Sequence, residues 1–294
     1  MLATPLFLSS NLVFGRMVIP EVSPFILAFL RWSAVSFVML PFMAGNFGSL
    51  ARLAGQQWPR LLALGFLGMF ICGGVVYAAL RHTTATNSTL IYTTSPVIII
   101  LIEAAFFGRR IGVREALGSA IAFLGVAVIV FRGDLGVLFA LDFNLGDLLF
   151  VLSAVAWAVY SILYRSPRLA LVSTPSLLGI VAAAGALTIL PFAAWEFVTG
   201  DAMPVTISAW TSIAGIVVVS SLLAFSGFQY GVRALGPSLA GLFMYLLPPY
   251  GVLLAVIVLG ERFEPFHLAG IALVLGGIVL ATFPAAWLRE RYGR

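Results

Sequence analysis

Ten apolar runs, most of them close to 20 residues long, constrain this chain more than any other feature of its sequence. A helix that crosses a bilayer needs about 20 consecutive apolar residues. Of the 294 residues, 62% are hydrophobic and only 9% are charged, and the loops leave no room for a soluble domain. The sequence therefore predicts an all-α integral membrane protein with ten transmembrane helices. The runs are residues 2–18, 25–44, 58–80, 86–107, 112–131, 146–164, 174–195, 208–230, 237–259 and 265–285.

An internal repeat divides the chain into two units of five runs. Several prolines, arginines and glycines coincide at an offset of 152 residues, which is the signature of a repeated architecture. The loop between the fifth and sixth runs is the longest, and it gives units of residues 1–145 and 146–294. Because five is an odd number, the second unit must enter the membrane from the opposite side, which predicts an inverted repeat. The aligned pairs include Arg81 with Arg233, Pro96 with Pro248, Gly118 with Gly270 and Gly125 with Gly277.

The arginines orient the predicted bundle. All sixteen basic residues are arginine, and Arg31 lies inside the second run. If the N-terminus is cytoplasmic, eleven of the others lie in inner loops and the C-terminal tail and four in outer loops. Loops on the cytoplasmic side carry the excess of Lys and Arg. Both termini are therefore predicted to be cytoplasmic.

Prolines interrupt the fourth and ninth runs near their middle. Pro96 lies in the fourth run, and Pro248 and Pro249 lie in the ninth. A proline donates no backbone hydrogen bond and clashes with the carbonyl group four residues earlier. Such freed carbonyls are tolerated at membrane depth only where they are buried in protein or line a wet cavity. Interruptions at matching positions of two repeats predict the substrate site of a transporter near the bilayer midplane.

Polar and aromatic side chains predict the lining of that site. They concentrate in the first, third, fourth, sixth, eighth and ninth runs. Aromatic rings can stack on an apolar or aromatic solute, and freed carbonyls can bind the ends of a zwitterion, so no fixed charge is required. Packing between helices is the competing interpretation for the rings. The predicted substrate-binding residues are Asn11, Tyr77, Tyr92, Trp157, Tyr160, Tyr230 and Tyr245.

Three charged or titratable side chains each allow two interpretations. Glu103, the acid that lies deepest within a predicted run, either couples transport to an ion or pairs with the inner arginines. His82 either titrates at the outer mouth or is merely solvated. Arg31 costs about 3 kcal/mol at membrane depth unless its guanidinium extends to the headgroups. Glu103 and His82 are therefore the candidate coupling residues.

The motifs of several enzyme and cofactor classes are missing. The sequence has no lysine, which excludes a P-loop and a Schiff-base site. Two histidines and one cysteine, far apart in the chain, predict no metal site. An intramembrane enzyme needs converging titratable groups, which are too few here. We therefore predict no enzyme activity, no cofactor and no nucleic-acid partner, and the net charge of +5 reflects the loop arginines.

The end of the second unit, PPYGVLLAVIVLGERFEPFHLAGIALVLGGIVL, resembles the EamA type of the drug/metabolite transporter superfamily. The paired prolines and the GRR and GER sequences at 108–110 and 260–262 fit that resemblance. The first unit departs from the pattern, with Arg109 where the second has Glu261, and the usual tryptophan-glycine pair of the first span is missing. Within the family, the segment SSNLVFGR is most similar to bacterial aromatic amino-acid exporters.

The resemblance implies export of amino acids, aromatic or of broad range, or of related metabolites across a bacterial inner membrane. The repeat and the interrupted helices predict alternating access. An exporter of sugars or drugs is the alternative within the superfamily. A passive channel is another, although it would need a polar stripe in both leaflets, and the fourth run is polar only in its outer half. The expected partners are a small-molecule substrate and the bilayer; the oligomeric state stays open, and a monomer is compatible.

Overall fold

The computed structural model describes residues 1–83, 85–134, 136, 144–200, 202–259 and 262–282. Every regular element in these ranges is a helix. A bilayer offers no water to peptide groups, so a chain this apolar has to satisfy its backbone hydrogen bonds within helices. The predicted all-α class is confirmed.

Helical segments, labelled α1 to α10, follow the order of the predicted apolar runs. A short helix, Leu40–Gly45, lies between α2 and α3, and a 3-10 turn, Leu169–Leu171, lies between α6 and α7. The bounds are α1 Ala3–Val18, α2 Pro24–Val38, α3 Phe47–Ala79, α4 Ala85–Tyr92 and Ser95–Phe107, α5 Val113–Val130, α6 Leu145–Tyr164, α7 Thr174–Val198, α8 Ile207–Leu235, α9 Pro237–Leu242, Phe243–Leu246 and Leu247–Leu259, and α10 Pro265–Thr282.

Eight of these segments, α3 to α10, are long and apolar enough to cross a membrane within the described ranges. Helix α2 is apolar but has 15 residues, and α1 has 16. The count of ten spans and the cytoplasmic termini therefore stay predictions, and the terminal arginines lie outside the described residues. One boundary differs clearly, because α3 begins at Phe47 rather than at residue 58 and kinks at Gln57.

Helices α4 and α9 are interrupted where the sequence has proline. In α4, Thr93 and Thr94 form a turn, and Pro96 lies in the first turn of the second part. In α9, the 3-10 turn Phe243–Leu246 precedes Pro248 and Pro249. Since Pro96 has no N–H, the carbonyl of Tyr92 loses its regular helical partner.

Two π-helical segments, which the sequence does not predict, lie in α3 and α8. They are Phe66–Val75 and Ile216–Leu223, and they begin 150 residues apart. A π-helix has one extra residue per hydrogen-bonded turn and is found mostly at functional sites. Cys72, in the first segment, lines the cavity described below.

Glycines bring α5 and α10 into backbone contact. A Cβ atom on Gly277 would lie 2.5 Å from the Gly118 carbonyl oxygen, and one on Gly125 would lie 2.6 Å from the Gly270 carbonyl oxygen. Small residues at matched positions allow such close approach of membrane helices. The two contacts are equivalent in the repeat, because Gly118 aligns with Gly270 and Gly125 aligns with Gly277. A two-fold axis that exchanges the two predicted units would therefore map one contact onto the other. The inverted repeat and its boundary stay predictions, and most of the boundary loop lies outside the described residues.

Two apolar clusters form the interior of the bundle. The larger cluster consists mainly of residues from α2, α3, α6, α7 and α8. The smaller cluster is formed by α4, α5, α9 and α10. The cavity lies between the two clusters, at the interrupted helices.

Candidate functional site

A cavity of about 620 Å³ lies among α1 to α6, α8 and α9. Its wall combines the polar outer half of α4 with aromatic side chains from α3, α6 and α8. It extends to Ile19, Leu80 and Val130, at the end of the bundle where α1, α3 and α5 finish. A volume of this size suits a small metabolite.

A hydrogen-bonded network connects three helices on one wall of the cavity. The Tyr77 hydroxyl donates to Asn11 Oδ1 at 3.0 Å and accepts from Arg31 Nη1 at 2.9 Å. Tyr77 is only 1% exposed, and all three residues line the cavity. The predicted residues Asn11 and Tyr77 are thus brought together, and their hydrogen bond also connects α1 to α3.

The surroundings of Arg31 decide between its two interpretations. Its guanidinium does not extend to the headgroups, because the residue is 4% exposed and donates to Ser221 Oγ at 2.6 Å and to the Ser220 carbonyl at 3.1 Å. The guanidinium carbon also lies 4.6 Å from the ring centroid of Trp32 and 5.8 Å from that of Phe225. Helix α2, which is not among the runs predicted to line the site, thus supplies a fixed positive charge to the cavity.

Trp157 forms the centre of the aromatic wall. Its ring centroid lies 6.2 Å from that of Tyr92, and its plane is perpendicular to the Phe225 ring at a centroid distance of 5.6 Å. Trp157 is 1% exposed, and its indole N–H has no hydrogen-bond partner among the described residues. A buried donor without a partner costs free energy, so it favours an acceptor supplied by a solute.

Three of the predicted aromatic residues do not line the cavity. Tyr160 is fully buried behind Trp157, where its hydroxyl accepts from Gln229 Nε2 at 2.8 Å. Tyr245 is fully buried in the smaller apolar cluster. Tyr230 is 67% exposed, whereas the preceding residue, Gln229, is fully buried. Successive residues of an α-helix point about 100° apart, so Tyr230 faces away from the interior.

The interrupted part of α9 contributes Met244, Leu247 and Pro248 to the cavity. The Ser9 hydroxyl lies 2.9 Å from the Leu247 carbonyl oxygen, which connects α1 to this interruption. Pro96, by contrast, is buried, and a Cβ atom on Gly241 would be 3.6 Å from its Cα. Pro249 does not line the cavity either. The two interruptions thus contribute differently to the cavity wall. Helix α9 contributes Pro248 itself, whereas α4 contributes Tyr92 and Thr93, which precede its proline.

Glu103 lies away from the cavity, near the opposite end of the bundle. It is 6% exposed and accepts a hydrogen bond from Ser238 at the start of α9. Arg109 Nε lies 3.8 Å from its Oε2 atom, and Arg165 Nη1 lies 3.7 Å from Oε1. Pairing with the inner arginines was one of its two interpretations, and Arg109 and Arg165 both supply it.

Asp147, the second residue of the sixth apolar run, is a buried carboxylate that the sequence analysis did not single out. It is 1% exposed and forms a capping box with Asn144 at the start of α6. It also accepts from the Thr83 hydroxyl and from Asn87 Nδ2, the latter at 3.2 Å. Glu103 is therefore not the only acid buried in a helix. The N-x-x-D pattern of a capping box was the available signal. His82, by contrast, is exposed at the end of α3.

The model of the EamA-like transporter family matches residues 1–131 and 144–283. The chain belongs to the EamA-like transporter family. This is a family of transporters rather than of enzymes. Together with the eight apolar helices, it confirms a multi-pass protein of the inner membrane, and a 23% identical relative, YedA of Escherichia coli, is named an inner membrane transporter (89% of this chain, 84% of the relative).

Two similar proteins carry names that mention amino acids. The aromatic amino acid exporter YddG of Ancylobacter novellus is 27% identical over 288 residues, covering 96% of each chain. A probable terminal-alkyne amino-acid exporter of Streptantibioticus cattleyicolor is 28% identical over 247 residues, covering 84% of this chain and 80% of the relative. A solved crystal structure superposes with a TM-score of 0.76 at 24% identity, covering 97% of this chain and 96% of the other, which shows a shared fold.

Proposed function

We propose that this EamA-like transporter is a secondary transporter that exports amino acids, aromatic or of broad range, by alternating access. The observation that carries the proposal is the cavity at the two interrupted helices, with Trp157, Tyr92 and Phe225 on one side and polar groups on the other. The cavity matches a solute with an apolar side chain and polar ends. The names of the two exporter relatives support the same class of substrate.

The ends of the bundle suggest how access alternates. The cavity extends toward one end, whereas Glu103, Ser238 and Arg165 join α4, α9 and the end of α6 at the other. With arginine-rich loops on the cytoplasmic side, this arrangement corresponds to an outward-facing state with a closed inner gate. We propose that the two apolar clusters rock against each other around the cavity. Coupling of this motion to an ion through Glu103 or His82 stays a prediction.

A counterflow assay tests the proposal. Reconstituted vesicles loaded with unlabelled phenylalanine should accumulate external labelled phenylalanine transiently above its equilibrium level, because a carrier exchanges solutes one for another. Excess methionine or tyrosine should suppress the overshoot, while glucose should not. Protein-free vesicles are the control. Suppression by glucose would favour a sugar exporter, and uptake that reaches equilibrium without overshoot would favour a passive channel.

Single-cysteine labelling tests the inverted topology. In a Cys72→Ala background, Gly112→Cys and Phe263→Cys place thiols in the exposed segments that follow α4 and α9. Because each predicted unit has five spans, an impermeant maleimide should label Phe263→Cys in intact cells and Gly112→Cys only after the membrane is opened. Both variants should label fully in detergent. Labelling of both positions in intact cells would contradict the inverted repeat.

A further inference from the structure

Arg31 is a buried cation that has no counter-ion among the described residues. It lies seven residues after the start of α2, about 10 Å along the helix axis. In the part of the chain that the structure describes, ion pairs join acids only to Arg109 and Arg165. The three groups that accept from Arg31 are a serine hydroxyl, a tyrosine hydroxyl and a backbone carbonyl, all neutral. Its positive charge is therefore solvated by dipoles but not neutralised.

A purely structural role leaves this choice of residue unexplained. A guanidinium has five N–H donors, of which three are used here, so Nη1 and Nη2 each retain one. Burying a charge in an apolar region is costly unless it is paired. A neutral side chain such as glutamine could connect α2 to α8 at a lower desolvation cost. The retained charge at the cavity wall therefore indicates a ligand of opposite sign.

We propose that Arg31 is the anchor for the carboxylate of the transported solute. Guanidinium groups recognise carboxylates through paired, charge-assisted hydrogen bonds. Phe225 separates Arg31 from Trp157, since its ring lies 5.8 Å from the guanidinium carbon and 5.6 Å from the Trp157 ring. A solute with its carboxylate on Arg31 can thus lay an apolar side chain against Trp157 and Tyr92.

This assignment rests on the proposed function and narrows its substrate class. It selects organic anions and zwitterions that carry a carboxylate close to an apolar or aromatic group. Amines without a carboxylate and neutral sugars leave the Arg31 charge unpaired, and the site discriminates against them. The Ser220 carbonyl that bonds Arg31 belongs to the π-helical segment of α8, so this segment helps to orient the guanidinium.

Ligand-dependent thermal stabilisation of the purified protein tests the anchor, because a ligand that binds the folded state raises its melting temperature. The probes are phenylalanine, 3-phenylpropanoate, which has only the carboxylate, and phenethylamine, which has only the amine. Wild-type protein should be stabilised by both carboxylates at concentrations at least tenfold below those needed for phenethylamine. Arg31→Gln should weaken binding of both carboxylates about tenfold to a hundredfold and should not weaken binding of phenethylamine. Arg31→Lys should give an intermediate loss.

Arg233→Gln is the matched control. Arg233 also donates to neutral groups, the carbonyls of Val172 and Leu169, but it does not line the cavity, so this variant should keep the wild-type ranking. Should Arg31→Gln fail to fold, the wild-type preference for 3-phenylpropanoate over phenethylamine and the Arg31→Lys titration still test the anchor.

The outcomes separate the anchor from the proposed function. Equal stabilisation by 3-phenylpropanoate and phenethylamine, or carboxylate affinities that Arg31→Gln does not change, would overturn the anchor. Binding of 3-phenylpropanoate through Arg31 without binding of phenylalanine would keep the anchor and refute the assignment to amino acids.

Discussion

Gly277→Ala should lower the free energy of unfolding by about 1–3 kcal/mol, the range for overpacked interiors. The added Cβ atom would lie 2.5 Å from both the Gly118 carbonyl oxygen and the Ala122 backbone nitrogen. Both are main-chain atoms, which cannot rotate away as a side chain can. Helices α5 and α10 would have to separate along their shared face. The larger Gly277→Leu should prevent recovery of folded protein, as measured by size-exclusion chromatography in detergent.

Gly276→Ala provides the control for this prediction. Gly276 is the preceding residue of the same helix, and a Cβ atom there would meet nothing within 4 Å. Alanine also has the higher helix propensity, so stability should be unchanged or slightly increased. Equal melting temperatures for the two alanine variants would contradict the close α5–α10 contact.

Trp157→Ala should weaken binding of phenylalanine about tenfold while affecting threonine much less. The Trp157 ring faces the cavity beside Tyr92 and Phe225, and an aromatic pair adds about 0.5 to 1.5 kcal/mol beyond burial. A difference of about 1.4 kcal/mol corresponds to tenfold in affinity. Competition by phenylalanine and threonine against one labelled substrate measures the ratio directly.

Two further variants separate selectivity from packing. Trp157 also packs on Phe228 at 4.7 Å between centroids, so the alanine variant will lose stability and must be compared at matched amounts of folded protein. Trp157→Phe keeps a ring and should retain most of the preference for phenylalanine. Trp210→Ala removes a half-exposed tryptophan outside the cavity and should change the binding of neither phenylalanine nor threonine. An unchanged phenylalanine-to-threonine ratio in Trp157→Ala would refute the aromatic wall.

The helices could be predicted because apolar length is a local property of the sequence. Each predicted run contains a helix, and prolines marked the interruptions of α4 and α9. The orientation of individual side chains was harder to predict, as Tyr230 shows. One residue separates it from the buried Gln229, and only the packing of α8 on its neighbours determines which of the two faces inward.

Residues that depend on long-range contacts were the ones missed. The position of Arg31 in an apolar run allowed either an interior or a headgroup location, and Ser221 on α8, 190 residues later, decides between them. Asp147 was not singled out, because its partners Thr83 and Asn87 precede it by more than 50 residues. The π-helical segments left no recognisable pattern at all.

The contact between α5 and α10 also bears on how the chain folds during synthesis. Helix α5 ends at Val130, but its glycine-matched partner begins at Pro265, close to the end of the described residues. During synthesis, the glycine face of α5 therefore enters the membrane before its partner α10 has been made. Final packing of the bundle depends on a helix that is synthesised after α1 to α9, so a chain truncated before α10 lacks the partner of α5.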